Sequence, residues 1–369
     1  MTTRYASNTV YLDAQLQPGW IVVEDDRIVA TGPGIPEHEF EMLDGLVIPG
    51  LIDTHVHGGW GIDLAACTQF EAGEFARLQW QHGVTRTFAS IATGTTHAMR
   101  SQIRRLAPLV HDRVFEGLHL EGPFLSQERR GAHSAELLQT PNLAALEAFL
   151  EAGEGTIRSI TLAPELEGAL TLIQTAIAHG VTVALGHTDA DAATTQRAID
   201  AGASVATHLF NGMRPFSHRE PGVVGAMLNA KSVSVELIAD GIHLADDTVT
   251  TVANAAQGSV MLVSDAMAAA GLADGDHTVA GSAVRVTNGI ARTRETGSLA
   301  GGTTALLAIV QRTRAIEGVH DAAIAWVTSN VADAYGMATH GRIAPGKTAD
   351  LVVLGASQAP RVLRNGRWL

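Results

Sequence analysis

Cysteine is nearly absent: Cys67 is the only one in 369 residues. No intramolecular disulfide can form, and neither a cysteine-based zinc knuckle nor an iron–sulfur cluster is available. Long apolar runs are missing too. No stretch approaches the roughly eighteen residues of a membrane span, and the first twenty residues carry no apolar leader core. The expected setting is the cytoplasm, without a membrane partner. Basic charge is scarce: 25 Lys and Arg face 38 Asp and Glu, for a formal net charge of −13. No basic stripe offsets this, which argues against a nucleic-acid partner. A small anionic ligand remains compatible, because one well-placed Arg and a few backbone donors can hold it. With 46% hydrophobic and 17% charged residues, the chain has the makings of a sizeable core.

The middle of the chain alternates short β-branched runs with longer Ala/Leu/Gln-rich stretches of helical period. The strand-like runs are 46–52, 84–90, 113–120, 157–163, 181–186, 203–209, 232–239 and 260–264. Helical patterns lie near 69–82, 97–109, 141–152, 166–179, 191–201, 222–230, 247–257 and 303–318. Eight strand–helix units predict an α/β fold, a TIM-like (β/α)8 barrel. The rival, an open doubly wound sheet, would carry a Gly-rich turn after its first strand, and none is there.

The ends have a different rhythm. Residues 8–44 and 348–369 alternate short strands with turns, and neither piece alone could bury a stable core. The predicted arrangement is a small β-sandwich domain built from 1–48 plus 341–369, beside a catalytic barrel over 49–340. Turn signals break residues 271–299 into strand-like pieces, as expected of a hairpin insertion over the barrel mouth. The long polar segment 121–140 is a candidate lid.

Acids and histidines recur where the strands should end. Asp53, His55 and His57 follow the first, His119 and Glu121 end the third, and His187 ends the fifth with Asp189 beyond it. His208 ends the sixth, Asp240 and His243 follow the seventh, and Asp265 follows the eighth. Individually each has a plain explanation. HxH follows from strand alternation, Glu121 could cap the turn at Gly122-Pro123, and Asp265 could cap a helix. Together, on the face where such barrels carry their chemistry, they call for a shared divalent metal. His119 stays open as a ligand, since it faces the same way as Glu121.

Several motifs are familiar: PGLIDTHVHG at 49–58, HLEGPF at 119–124, GAH at 131–133, LGHTDA at 185–190 and ATHLFNGM at 206–213. REPG at 219–222, ADGIH at 239–243, VSDAM at 263–267, SLAGG at 298–302 and GRIAPGKTADLVVL at 341–354 complete the set. Over nearly its whole length the chain resembles the N-acetylglucosamine-6-phosphate deacetylases, a family of metal-dependent amidohydrolases. HxH and the tail motif are shared across the superfamily; HLEGPF with GAH, HLFNGM with REPG, and ADGIH are more specific.

The resemblance implies hydrolysis of the acetamide of N-acetyl-D-glucosamine 6-phosphate. It implies Glu121, His187 and His208 as metal ligands, Asp265 as acid/base, and His133 as the group polarising the acetyl carbonyl. Asn211, the Gly212 backbone N–H, Arg219, Asp240 and His243 correspond to sugar-phosphate contacts, and Ala132, Leu299, Ala300 and Gly301 to the pocket wall. The metal expected first is zinc, with iron, manganese or cobalt compatible. His55 and His57 leave room for a second ion bridged by Glu121. Neither Lys231 nor Lys347 lies where a carboxylated lysine could bridge instead. The resemblance also implies a homodimer, with phosphate contacts that can cross its interface. TFASIATGT, at 87–95, lacks the Pro-Thr pair usual there. The alternatives are another amidohydrolase, such as a D-aminoacylase or cyclic-amide hydrolase, and a non-catalytic sugar-phosphate binder.

Overall fold

A computed structural model describes residues 2–37, 39–279, 282–355 and 359–369. Among them, eight parallel strands follow one another in hydrogen-bonded order: Leu51–Val56, Val84–Ala92, Gly117–Glu121, Ile157–Leu162, Thr182–Leu185, Val205–Ala206, Ser234–Leu237 and Ser259–Leu262. Helices lie between them, as the predicted (β/α)8 barrel requires. Local chemistry starts several of these helices. Thr68 and Glu71 form a reciprocal capping box before Gln69–Gln81, and Thr95, Asn142 and Asp191 accept from the first turns of theirs.

The barrel closes without a full ladder. Between the eighth and first strands the Asp265 amide donates to the His55 carbonyl (2.9 Å) and the His57 amide to the Ala266 carbonyl (2.8 Å). Asp53 completes the seam: its Oδ2 accepts from Ser264 Oγ at 2.6 Å. Burial raises the Asp53 carboxyl to about 6, against these hydrogen bonds that lower it. Asp53 therefore belongs to barrel closure rather than to the cluster of acids at the mouth.

The expected first strand, 46–52, is two. Leu46–Pro49 pairs with Thr2–Leu12 and Leu351–Leu354 in the terminal sheet, whereas Leu51–Val56 enters the barrel. Gly50 separates them, and a Cβ there would collide with Thr85 Oγ1. Both chain ends build one eight-stranded, mostly antiparallel sheet with its own core of Tyr5, Val10, Ile21, Ile28, Val47, Leu351 and Leu363.

Two short helices absent from the expected pattern, Ala322–Trp326 and Ser329–Ala334, plug the opposite end of the barrel from the mouth. Val331, Ala332, Tyr335 and Met337 pack there against Ile52, Phe88, Ala184, Val205 and Met261. The insertion is a three-stranded meander rather than a single hairpin, Gly275–Val279, Ser282–Thr287 and Ile290–Thr293; residues 280 and 281 lie outside the described set. Its Val284, Val286 and Ala291 pack on Met267, Ala269 and Ala300 at the mouth.

The terminal sheet is tied to the barrel by a buried ionic cluster. Arg86, on the second barrel strand, donates to Asp350 (2.7 Å), Glu116 (2.8 Å) and Asn365 (2.5 Å). Burial alone would raise the Asp350 carboxyl, but His340, Arg86 and the Asn365 amide bring it to about 2. Arg86→Ala strands the buried Asp350 and leaves the half-buried Glu116 without this partner, and is expected to lower stability by about 3–5 kcal/mol in urea unfolding. Asp350 adds a pH dependence of known sign. Its folded value lies below the ordinary carboxylate value, so its contribution, roughly 2 kcal/mol, is present above pH 4 and lost as pH falls toward 2. Asp350→Asn should flatten that part of the stability–pH curve measured by thermal melting.

Candidate active site

One carboxylate gathers the mouth of the barrel. Glu121, at the tip of the third strand, places Oε1 3.1 Å from His187 Nε2, 3.2 Å from His208 Nε2 and 3.4 Å from His55 Nε2. Its Oε2 lies 3.1 Å from His57 Nε2 and 3.4 Å from His133 Nε2. Asp265 Oδ1 is 3.4 Å from both His55 and His57 Nε2. Residues distant in sequence thus meet because they end neighbouring parallel strands.

Backbone geometry aims several of them. His187, His208, Phe210 and Asp265 all have left-handed φ angles, 47°, 30°, 77° and 45°. Each such residue costs on the order of 1–3 kcal/mol, and this kind of strain concentrates at functional sites. Gly212, at φ 60°, is there for space: a Cβ would stand 2.7 Å from His187 Nδ1.

The ring partners fix tautomers. His187 Nδ1 donates to the Arg129 carbonyl at 2.8 Å, leaving its Nε2 lone pair for the cluster. Arg129 is itself anchored by Asp189 (2.7 Å), which also accepts from Arg214 (3.0 Å). Asp189 is therefore a support and not a ligand. His119, left open by the sequence, is excluded from coordination. Its Nδ1 meets Ser90 Oγ at 3.0 Å and its Nε2 meets Thr161 Oγ1 at 2.8 Å, so neither nitrogen is available. Burial drives this ring well below its usual value, so it is neutral.

The electrostatics ask for a cation. Burial raises the Glu121 carboxyl, yet His133 and His55 hold it well below the ordinary range. Burial lowers His55, but Glu121 and Asp265 lift it far above its usual value. Among the described residues, no Arg or Lys forms an ion pair with Glu121 or Asp265. The buried His208 Nδ1 also has no hydrogen-bond partner. Three groups have converging ligand atoms: His55, His57 and Asp265; His55, Glu121 and His208; and Glu121, His133 and His187. Imidazole nitrogens and carboxylate oxygens in this density suit a divalent metal.

A cavity of about 330 Å³ opens above the cluster. Ala132, His133, Asn211, Gly212, His243, Leu299, Ala300 and Gly301 line it, as do Met267, Ser282 and Val284 at the meander. Asp240 does not line it. It stands behind His243, accepting from Nδ1 at 2.8 Å, and so acts on the cavity only through that ring. Burial lowers His243, and Asp240 overcomes this to raise it. Arg219 is also outside the lining, exposed on the segment after Arg214. Sequence reading missed Glu236 and Tyr335, which meet beneath the cluster at 3.2 Å. The one available signal was a lone acid in the apolar run SVELIA.

Comparison with known proteins agrees with this geometry. Residues 46–368 match the model of the amidohydrolase family. The N-acetylgalactosamine-6-phosphate deacetylase of Escherichia coli O157:H7 is 35% identical over 335 residues, 89% of each chain. The N-acetylglucosamine-6-phosphate deacetylase of Bacillus subtilis is 31% identical, over 92% of this chain and 90% of its own. A variant of the Mycobacterium smegmatis N-acetyl-D-glucosamine-6-phosphate deacetylase, solved in complex with N-acetyl-D-glucosamine 6-phosphate, superposes with a TM-score of 0.95 at 37% identity, covering 100% of this chain and 99% of that one. This chain is a hydrolase of the amidohydrolase family and belongs among its N-acetylglucosamine-6-phosphate deacetylases.

Proposed function

We propose that the chain hydrolyses the acetamide of N-acetyl-D-glucosamine 6-phosphate to D-glucosamine 6-phosphate and acetate, within amino-sugar catabolism. The carrying observation is that one cavity holds both the His/Glu/Asp cluster and the wall of Ala132, Asn211, Gly212, His243, Leu299, Ala300 and Gly301. The relatives' substrate supports the assignment. One relative acts on the galactosamine epimer, so paired assays on both epimers decide which sugar is preferred.

Glu121, His187 and His208 are the proposed holders of the principal ion, with zinc expected first and iron, manganese or cobalt compatible. His55 and His57, with Glu121, are the proposed second position. Such an ion supplies Lewis acidity, which acidifies a water and polarises the amide carbonyl. Asp265 takes the proton of the attacking water and returns it to the nitrogen as the C–N bond breaks. Its carboxylate is placed for this beside His55 and His57. His133 donates its ring N–H to the oxyanion; loss of a donor in this role typically costs about 3 kcal/mol. Burial lowers the His133 ring from its usual value, so it can serve as a neutral donor.

Phosphate recognition falls to Asn211, the Gly212 amide and His243, whose raised basicity suits an anion. Arg219 lies outside the cavity of its own chain. A second copy of the chain, in a homodimer, is the arrangement that gives this arginine a phosphate to bind.

Two variants test these roles. Asp265→Asn should keep metal content and melting temperature while lowering kcat on the order of 10²–10⁴-fold. Wild-type turnover, with elemental analysis unchanged, removes Asp265 from the mechanism. Arg219→Ala should raise KM for the phosphorylated sugar roughly tenfold or more, and leave the rate on N-acetylglucosamine unchanged. Equal losses on both substrates, or a monomer by light scattering, contradict its proposed role.

A further inference from the structure

Glu236 sits on the seventh barrel strand between Val235 and Leu237, which pack into the main apolar core. Its own side chain alternates inward and is buried. Glu236 Oε2 lies 3.5 Å from His55 Nδ1 and 3.4 Å from the His208 amide nitrogen. On the other side Glu236 Oε1 accepts from the Tyr335 hydroxyl at 3.2 Å. Tyr335 follows the plug helix, so this contact runs from the floor of the barrel toward the cluster.

His55 is oriented by the same contact. Its Nε2 faces His57 Nε2 at 3.3 Å and, at 3.4 Å each, Glu121 Oε1 and Asp265 Oδ1. An imidazole whose Nδ1–H points at a carboxylate presents its Nε2 lone pair outward, the form a metal requires. The other cluster rings are treated differently: His187 leans on a main-chain carbonyl and His119 on two hydroxyls. A buried carboxylate is costly unless it has a partner. The cluster ring whose Nδ1 this carboxylate faces is His55, the one that stands beside His57 and Asp265.

We propose that Glu236 is a positioning residue for a second divalent ion at His55, His57 and Glu121. It acts through His55 Nδ1, and Tyr335 holds it in place. The inference rests on the deacetylase reading only in taking Glu121, His187 and His208 as the first site.

The test is titration of metal-free, full-length protein with Zn²⁺ by calorimetry, alongside elemental analysis after dialysis. Wild type should show two classes of site. Glu236→Leu should weaken one class by roughly 10–100-fold and leave the other unchanged. Glu236→Gln keeps an acceptor for His55 and should lose less. Tyr335→Phe, a smaller change, should weaken the same class in the same direction, and it carries the test if Glu236→Leu fails to fold. One ion per wild-type chain overturns the proposal, as does equal weakening of both classes. Deacetylation of N-acetylglucosamine 6-phosphate is assayed separately. Its absence with two normal classes of site would count against the substrate assignment and not against Glu236.

Discussion

Five imidazoles surround the carboxylate of Glu121 within 3.4 Å, and they come from the first, fifth and sixth strands and from the loop after the third. Like-charged protonated rings would repel one another at this density, and the acids present are too few to neutralise them all while remaining buried. The arrangement makes physical sense around a cation that replaces protons on the ring nitrogens. That constraint explains the details around it. His187, His208 and Asp265 adopt left-handed backbone angles, Gly212 gives up its side chain for His187, and the outer nitrogen of His187 is committed to a main-chain carbonyl.

Much of the barrel was legible because periodicity reports burial. Strands covered on both faces appear as runs of Val, Ile and Leu, and seven of the eight runs correspond to barrel strands, with ends shifted by a few residues. The first was misjudged at one point. Apolar residues run on from 46 to 52 on either side of Pro49 and Gly50, so only that pair marks where the chain leaves one sheet and enters another. The plug helices went unseen because each is only five or six residues long, too short for a helical period to emerge.

The cluster was legible for a different reason. Ionisable residues at strand ends stand out against apolar strands, and Glu121, His187, His208, His55, His57 and Asp265 do converge. What pattern could not distinguish was facing from bonding. His119 and Glu121 share a face, but hydroxyls from the second and fourth strands occupy both nitrogens of His119. Asp53 and Asp189 likewise read as rim acids, yet their partners, Ser264 in one case and Arg129 with Arg214 in the other, lie far away in sequence. Long-range partners of this kind leave no local trace.

The seam between the first and eighth strands has a broader meaning for the enzyme. An unpaired strand edge ordinarily invites fraying or association with other chains. Here the backbone bonds that shut the edge belong to His55, His57, Asp265 and Ala266, and three of these carry side chains of the clustered group at the mouth. Parting of these two strands would disperse the clustered side chains at once, so for this molecule barrel closure and the geometry at its mouth share a single zip.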